Sequence, residues 1–420
     1  MYVERLTLRI LIYGLNFAPE LTGIGKYTGE MAEWLARRGH EVRVVTAPPY
    51  YPAWKIREDY LGQRYRTEQP MPGLTVYRTP LYVPERPTGV KRMVHLASFM
   101  VGSIPTMLRQ LTWRPDVLWT VEPTFFGAPL ALLIASATDT PAWLHVQDYE
   151  VDAAFDLGLL PAEGPVHAIA LWLEQLFTRG FRVVSSISAR MVERAESKGV
   201  PAERVVLFPN WVDVEAIRPA AADAPNTYRQ ELGLVGKTVL LYSGNLGNKQ
   251  GLELLAPLAE SFASDASVHF LFCGDGAFRP QLEALVAHRK NVTLVPLQPV
   301  ERLGELLNAA DIHLLPQRAG AADLVMPSKL TGMLSSGRPV LATADAGTML
   351  AEVINGGGAP LGTVVPTTDA AALHRAARQL VDAPARRAEL GRNARAYAVR
   401  ELGREEVLRR FEDKLLSMPL

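Results

Sequence analysis

Short apolar runs alternate with stretches of helical period along the whole chain. Leu8-Arg-Ile-Leu-Ile-Tyr13 reads as a buried strand. After it, apolar residues at Tyr27, Met31, Trp34 and Leu35 mark one face of a 3.6-residue period, which predicts a helix that Gly39 stops. Further strands are expected at Val42–Thr46, Val117–Val121, Ala142–Val146, Arg182–Ser185 and Arg204–Phe208. Strands separated by helices of ten or more residues require crossover connections, so the sheet is mostly parallel. This is an α/β pattern.

The stretch from Pro209 to Lys237, rich in Pro, Asn, Asp and Ala, breaks the rhythm and reads as a linker. The pattern then restarts with strands at Thr238–Tyr242, Val268–Cys273, Val292–Val295, Ile312–Leu315 and Val340–Thr343, and three Arg- and Ala-rich helices follow from Asp369. Two doubly wound, Rossmann-like domains are expected, over residues 1–215 and 216–403, with the helix at 404–420 completing the first. Open parallel sheets bind ligands beyond the carboxyl ends of their strands, and two such sheets facing each other would enclose a cleft. The strand-to-helix loops are therefore where chemistry is sought.

Composition narrows the classes. A chain of 420 residues with 48% apolar and 21% charged residues can bury two cores and is neither disordered nor fibrous. Its single cysteine, Cys273, cannot form an intrachain disulfide, and the short apolar stretch near Glu4, Arg5 and Arg9 lacks the length of a signal peptide, so a cytoplasmic location is expected. The apolar stretches 93–108 and 123–138 are too short to cross a bilayer. Lys plus Arg number 44 against 44 Asp plus Glu, which argues against nucleic acid as a partner. The balance is local, however: residues 1–120 carry 16 basic and 10 acidic residues, 121–215 carry 6 and 13, and 216–420 carry 22 and 21.

Three loops carry candidate chemistry. In Gly14–Tyr27, Gly23 and Gly25 precede a helix and could present backbone amides to an anion, with Lys26 adding charge; a plain structural loop is the alternative. The dinucleotide fingerprint fits poorly, because its third glycine falls one residue late, at Gly29. In Tyr242–Gly251 a strand, a glycine-rich loop and a helix follow one another, and Lys249 could neutralise a diphosphate. Gly236-Lys237-Thr238 is no P-loop, since Glu231 stands where the motif needs glycine. In Leu324–Thr343, Pro327 and Ser328 are helix-start signals and Lys329 falls in the first turn, where a cation opposes the dipole unless an anion intervenes; a solvated surface lysine is the alternative. There is no Asp-x-Asp pair, no His-Glu-x-x-His and no Cys/His cluster, so no metal site is expected.

Taken in order, Gly-Leu-Asn-Phe-Ala-Pro-Glu-Leu-Thr-Gly-Ile-Gly-Lys-Tyr (14–27), Arg-Gly-His-Glu-Val (38–42), Pro-Pro-Tyr-Tyr-Pro (48–52), Leu-His-Val-Gln-Asp-Tyr-Glu-Val-Asp (144–152), Pro-Asn-Trp-Val-Asp (209–213), Ser-Gly-Asn-Leu-Gly-Asn-Lys-Gln-Gly (243–251), Cys-Gly-Asp-Gly (273–276) and Pro-Ser-Lys-Leu (327–330) resemble the retaining, nucleotide-sugar-dependent glycosyltransferases of GT-B architecture. Within these they are most similar to enzymes of colanic-acid-type exopolysaccharide biosynthesis. The resemblance covers almost the whole chain. It implies a nucleoside-diphosphate-sugar donor in the C-terminal domain, an acceptor in the N-terminal domain, and no cofactor beyond the donor itself. Gly244, Asn245, Gly247 and Lys249 would line the diphosphate, with Ser328 and Lys329 meeting it from the helix start. Lys249 and Lys329 would stabilise the leaving group without a metal. His145 and Asp148 would stand near the acceptor hydroxyl or the sugar, although a histidine at a strand end is also a common core residue.

Many relatives carry two glutamates seven residues apart around the last of these helices, the second on the ribose; here the positions hold Leu324 and Gly332, with Asp323 as a neighbour of the first. The colanic-acid group suggests guanosine-diphosphate fucose as donor and a polyprenyl-diphosphate-linked saccharide as acceptor. Such an acceptor fits the basic and apolar segment 86–114, in which Arg86, Lys91, Arg92, Arg109 and Arg114 flank Met93–Leu108. That segment would contact the anionic inner face of the cytoplasmic membrane peripherally, or else be a core helix with a solvated rim. A nucleotide-sugar 2-epimerase on the same architecture, a nicotinamide-dependent oxidoreductase using the Gly23 loop, and a non-catalytic sugar-nucleotide-binding protein are the alternatives.

Overall fold

The computed structural model describes residues 7–20, 23–85, 88–122, 125–149, 151–152, 163–221, 224–247, 250–318 and 327–418. The chain divides into two compact units, Met1–Pro209 with Leu408–Leu420, and Asn210–Val407. The second therefore begins inside the stretch whose composition reads as a linker. Trp211 and Val212 are buried there, and Asn226 caps a short helix, Thr227–Glu231, by accepting from the Arg229 amide at 3.1 Å. Tyr228 of that helix packs with Leu234, Val239 and Leu241. Polar caps and a few buried anchors fix this segment without any periodic pattern, which is why composition alone reads it as loose.

In the first unit the strands are β1 (Arg9–Tyr13), β2 (Glu41–Thr46), β3 (Arg66–Met71), β4 (Leu74–Arg78), β5 (Val117–Glu122), β6 (Ala142–Val146), β7 (Val183–Ser186) and β8 (Val205–Leu207). They form one sheet in the order β3-β4-β2-β1-β5-β6-β7-β8, parallel throughout except for the antiparallel β3–β4 pair. The β3–β4 hairpin departs from the periodicity reading. Its outer strand, Arg-Thr-Glu-Gln-Pro-Met, is polar and carries a proline, as an edge strand can. Gly73 at φ 80° makes the turn.

In the second unit β9 (Thr238–Ser243), β10 (Val268–Cys273), β11 (Val292–Val295), β12 (Ile312–Leu315), β13 (Val340–Thr343) and β14 (Gly362–Val365) form an all-parallel sheet in the order β11-β10-β9-β12-β13-β14. Counted from β9 this is the doubly wound order 3-2-1-4-5-6, whose direction reverses between β9 and β12. The core strands are apolar on both faces, as Tyr242 and Phe272 on one and Leu241 and Leu271 on the other show, because helices cover both sides. The helices Ala370–Asp382, Pro384–Tyr397 and Arg404–Leu416 close the chain, the first capped by Asp369, which accepts from the Ala372 amide at 2.7 Å. The last of them ends on the first unit. Glu412 takes a pair of hydrogen bonds from Arg38 and one contact from His40 at 3.0 Å, and Phe411 stacks on Phe208.

Candidate active site

Ligand sites in open α/β sheets form where the strand order reverses, because the loops there diverge to opposite faces. In the second unit that point lies beyond β9 and β12. Gly244, at φ 129°, turns the chain out of β9 in a conformation glycine adopts freely. The loop behind it is tightly packed: Leu246 donates its amide to the Asp275 carbonyl at 2.8 Å, and the Phe278 amide returns to the Leu246 carbonyl at 2.8 Å. A Cβ on Gly276 would stand 2.7 Å from Oδ1 of Asn245, so the glycines of Cys-Gly-Asp-Gly exist to let the two loops touch.

Lys329 joins them from the helix Ser328–Ser335. Its Nζ donates to the Tyr242 hydroxyl at 2.9 Å and sits 4.2 Å from the Tyr242 ring centroid; the hydroxyl in turn donates to the Asn245 carbonyl at 2.7 Å. Among the described residues no carboxylate pairs with this ammonium. Burial pulls its pKa down from the usual lysine value to about 8. A desolvated cation whose partners are a neutral hydroxyl and a ring, at the positive end of a helix and beside a glycine loop, is an arrangement that an anion completes.

Gly244, Asn245, Gly247, Ser328 and Lys329 are thus gathered around one switch point. Lys249 lies outside the described residues, as do Leu324 and Asp323. The helix start differs in detail from the sequence reading. Pro327 occupies the cap position and Ser328 is the first helical residue, so Ser328 does not cap the helix with its side chain and stays exposed. Gly332 faces inward: a Cβ there would lie 3.2 Å from Leu307 Cδ1 and 3.8 Å from Ile217 Cδ1. Tyr242 is the residue that sequence reasoning passed over. As the penultimate residue of an apolar strand it reads as core, and only the fold shows where its hydroxyl goes.

In the first unit the order reverses between β1 and β5. The loop after β1 is organised by Glu20, a buried carboxylate that accepts from Asn16 at 2.9 Å and from the Tyr50 and Tyr51 amides at 3.1 and 3.0 Å. Burial raises its pKa, against the lowering effect of those donors and of Arg78. A Cβ on Gly25 would stand 2.7 Å from Glu20 Oε2. Gly25 is therefore required for packing, and the group beside it is an acid. Gly23 opens the helix Gly23–Arg37 at φ 61°, and Lys26 pairs with Glu30 at 3.9 Å and lies over the Tyr27 ring. The spacing of the loop has a structural cause that was invisible without Glu20's partners.

His145 and Asp148 separate in environment. His145 is buried, stacked on Trp119 with centroids 5.3 Å apart, its Nδ1 2.8 Å from Ser185 Oγ and its Nε2 3.2 Å from the Gln147 side chain. Burial drops its pKa to about 3, so the ring is neutral. This is the placement of a satisfied core histidine. Asp148 lies exposed in the turn just beyond β6. The chain after it is pinned by Tyr149, whose hydroxyl donates to the Met191 carbonyl at 2.8 Å, and by Asp152, which accepts from Arg194 and Lys198 at 3.0 Å each. Lys198 also reaches the buried Glu174 at 2.5 Å. Among the described residues no group of acids, histidines and cysteine could hold a metal ion, and no helix is long and apolar enough to cross a membrane.

Two parallel-sheet α/β domains, the second with an anion-ready loop at its switch point, are the architecture of the GT-B glycosyltransferases. Among solved structures, sucrose-phosphate synthase from Thermosynechococcus elongatus superposes with a TM-score of 0.70 at 18% identity, covering 96% of this chain and 97% of that one. Anabaena Alr3699/HepE, solved in complex with UDP, does so with a TM-score of 0.70 at 16% identity, covering 98% and 100%. Residues 22–211 match the glycosyl transferase 4-like domain, and residues 226–397 match the glycosyl transferases group 1 domain. WcaI of Escherichia coli (strain K12), which bears the name of a colanic acid biosynthesis glycosyl transferase, is 42% identical over 412 residues, covering 96% of this chain and 98% of its own. The chain belongs to the group 1 glycosyltransferases and is an enzyme of that class. The isomerase and nicotinamide readings find no support in these comparisons.

Proposed function

We propose that the protein transfers a sugar from a nucleoside-diphosphate sugar to a lipid-linked saccharide in the biosynthesis of a colanic-acid-type exopolysaccharide, with retention at the anomeric carbon and without a resident metal. The observation that carries the donor assignment is the Lys329–Tyr242–Asn245 chain of hydrogen bonds at the switch point of the second sheet. As the bond to the sugar breaks, negative charge gathers on the leaving diphosphate. Lys329, the amides at the start of Ser328–Ser335 and the amides of the 244–247 loop are prearranged to meet that charge, and Lys249 is assigned the same task. Front-face attack within an ion pair needs no enzymic nucleophile, which is consistent with a buried, neutral His145. Asp148 is the group we assign to the acceptor side. His145 then acts by holding Gln147 and the turn that carries Asp148.

Guanosine-diphosphate fucose is the donor we propose, on the similarity to the colanic-acid group. Gly332 cannot supply the ribose contact, so the ribose is held by other groups. Thermal-shift screening against a panel of nucleotide sugars tests the donor, since a ligand that binds only the folded state raises the melting temperature. Transfer assays with and without EDTA, with product anomers assigned by NMR, test metal independence and retention. A donor hit followed by EDTA-sensitive or inverting transfer would overturn those parts of the proposal.

Membrane contact through residues 86–114 is supported by the helix Gly89–Trp113. Its face bearing His95, Phe99, Ser103, Met107 and Gln110 is buried, while Val90, Val94, Val101 and Leu108 stand exposed on the other. Lys91 and Arg109 are exposed beside them, and Arg86 lies outside the described residues. On the helix Pro165–Gly180, Ile169, Trp172 and Leu176 are also exposed. An apolar stripe edged with cations suits the headgroup region of an anionic bilayer on the inner face of the cytoplasmic membrane. Sedimentation with phosphatidylglycerol-containing vesicles should capture the protein at low salt and lose it when Lys91 and Arg92 are replaced by Glu. Capture unchanged by those substitutions would refute the contact.

A further inference from the structure

The second unit contains a cavity at the amino ends of β12 and β13, the sheet edge opposite the donor loops. It measures about 830 Å³, and four arginines line it, Arg229, Arg338, Arg392 and Arg395, with Asp311 as the acid among them. That volume falls within the range of small-molecule sites.

The four cations are unequally compensated. Arg229 donates to Asp311 at 2.6 Å, and the same carboxylate oxygen accepts from the Val239 amide at 2.8 Å. Asp311 is thus engaged by Arg229. Arg395 bonds to neutral acceptors, the carbonyls of Val214 and Ile217 and both oxygens of Ser335, while Glu215 and Arg218 near it oppose each other. Arg338 makes no side-chain hydrogen bond to a described residue, and its Nε is sealed from solvent without a partner. Burial and the neighbouring Arg229 disfavour its charge, with Asp311 opposing them. Arg392 is exposed at the rim. Four positive charges against one negative leave the cavity strongly cationic.

A guanidinium N–H sealed from water without a partner costs stability that an anion would recover, and planar guanidinium groups donate paired hydrogen bonds to phosphate oxygens. We propose that this cavity is a second ligand site, separate from the donor site, for a small molecule bearing a phosphate or diphosphate group. The helix Ser328–Ser335 carries Lys329 of the donor site in its first turn and ends just before Gly337 and Arg338, which line the cavity, so both sites share one rigid element.

The test measures the melting temperature of the full chain with inorganic phosphate and with pyrophosphate, each against chloride at equal ionic strength. Saturation should raise it by about 2–4 °C in the wild type. The same rise is expected in Lys329→Ala, in which the donor site is disabled, and the apparent affinity should fall at least tenfold in Arg392→Gln and in Arg338→Gln. Phosphate acting alone would identify a single-phosphate site; a response to pyrophosphate at lower concentration would identify a diphosphate-bearing ligand. If Arg338→Gln fails to fold, Arg392→Gln decides. No rise with either anion, a rise abolished by Lys329→Ala, or a rise untouched by Arg392→Gln overturns the proposal.

Discussion

The Lys329 ammonium donates a 2.9 Å hydrogen bond to the Tyr242 hydroxyl, 87 residues earlier in the chain, and that hydroxyl donates in turn to the Asn245 carbonyl at 2.7 Å. One tyrosine therefore fixes both the cation and the glycine loop to which a diphosphate would bind.

Replacing Lys329 by Ala should lower kcat/KM for transfer by about 100-fold or more, the usual cost of removing one preorganised donor from a developing anion. Steady-state assays with the donor found by screening check this, and full activity in the variant would refute the role.

Tyr242→Phe keeps the ring under the ammonium and removes only the bridge. A hydrogen bond to a charged group is worth about 1.5–3 kcal/mol, so a loss of roughly 10- to 100-fold in kcat/KM is expected with little change in melting temperature. A large fall in stability with unchanged turnover per folded molecule would show that the tyrosine merely packs.

The lowered pKa of Lys329, about 8, sets a direction for pH dependence. Below that value the ammonium is charged and affinity for a nucleoside diphosphate should be flat. Above it the free enzyme loses the cation, and affinity should fall by up to tenfold per pH unit. Its folded-state value lies below the unfolded one, so the unliganded protein gains stability from this group as pH rises from about 8 toward the ordinary lysine range. Titration calorimetry across pH 6.5–9.5, with Lys329→Ala as the flat control, measures both limbs.

Gly332→Glu places an acid where relatives carry one, yet it should not improve donor binding. Its Cβ would crowd Leu307 at 3.2 Å, and the carboxylate would point into apolar packing with Ile217. A destabilisation of about 3 kcal/mol is expected from a buried unpaired charge, read as a lower unfolding midpoint.

Glu412→Ala leaves Arg38 and the buried His40 without their shared acid and should cost about 2–3 kcal/mol, less than a fully buried pair because Arg38 is partly in water. Burial raises the Glu412 carboxyl, but hydrogen bonds and charge from Arg38 and His40 outweigh it, and the pKa lies below the usual value. This contribution is present at neutral pH and is lost as pH falls through that depressed pKa. Urea denaturation at pH 7 and pH 4 should show the wild type approaching the variant at the lower pH.

The sequence by itself determined the two-domain α/β pattern, the strands β1, β2 and β5 to β13, and the glycine and Pro-Ser-Lys segments now found around one switch point. These are legible because burial on both sides demands unbroken apolar runs, and a tight turn demands glycine. Only the tertiary structure separated like from like. Gly244 turns the chain at φ 129°, whereas Gly25 makes room for Glu20, and Gly332 packs against Leu307. His145 and Lys329 read alike as candidate site residues, but the one is a ring enclosed by Trp119 and Ser185 while the other is a half-buried side chain with no counter-ion among the described residues. Tyr242 and the arginine-lined cavity carried no signal in sequence at all. A strand or a turn depends on neighbours along the chain, and so it can be read locally. The charge state and reach of a side chain depend on groups tens of residues away, and those are known only once the sheet has set its strand order.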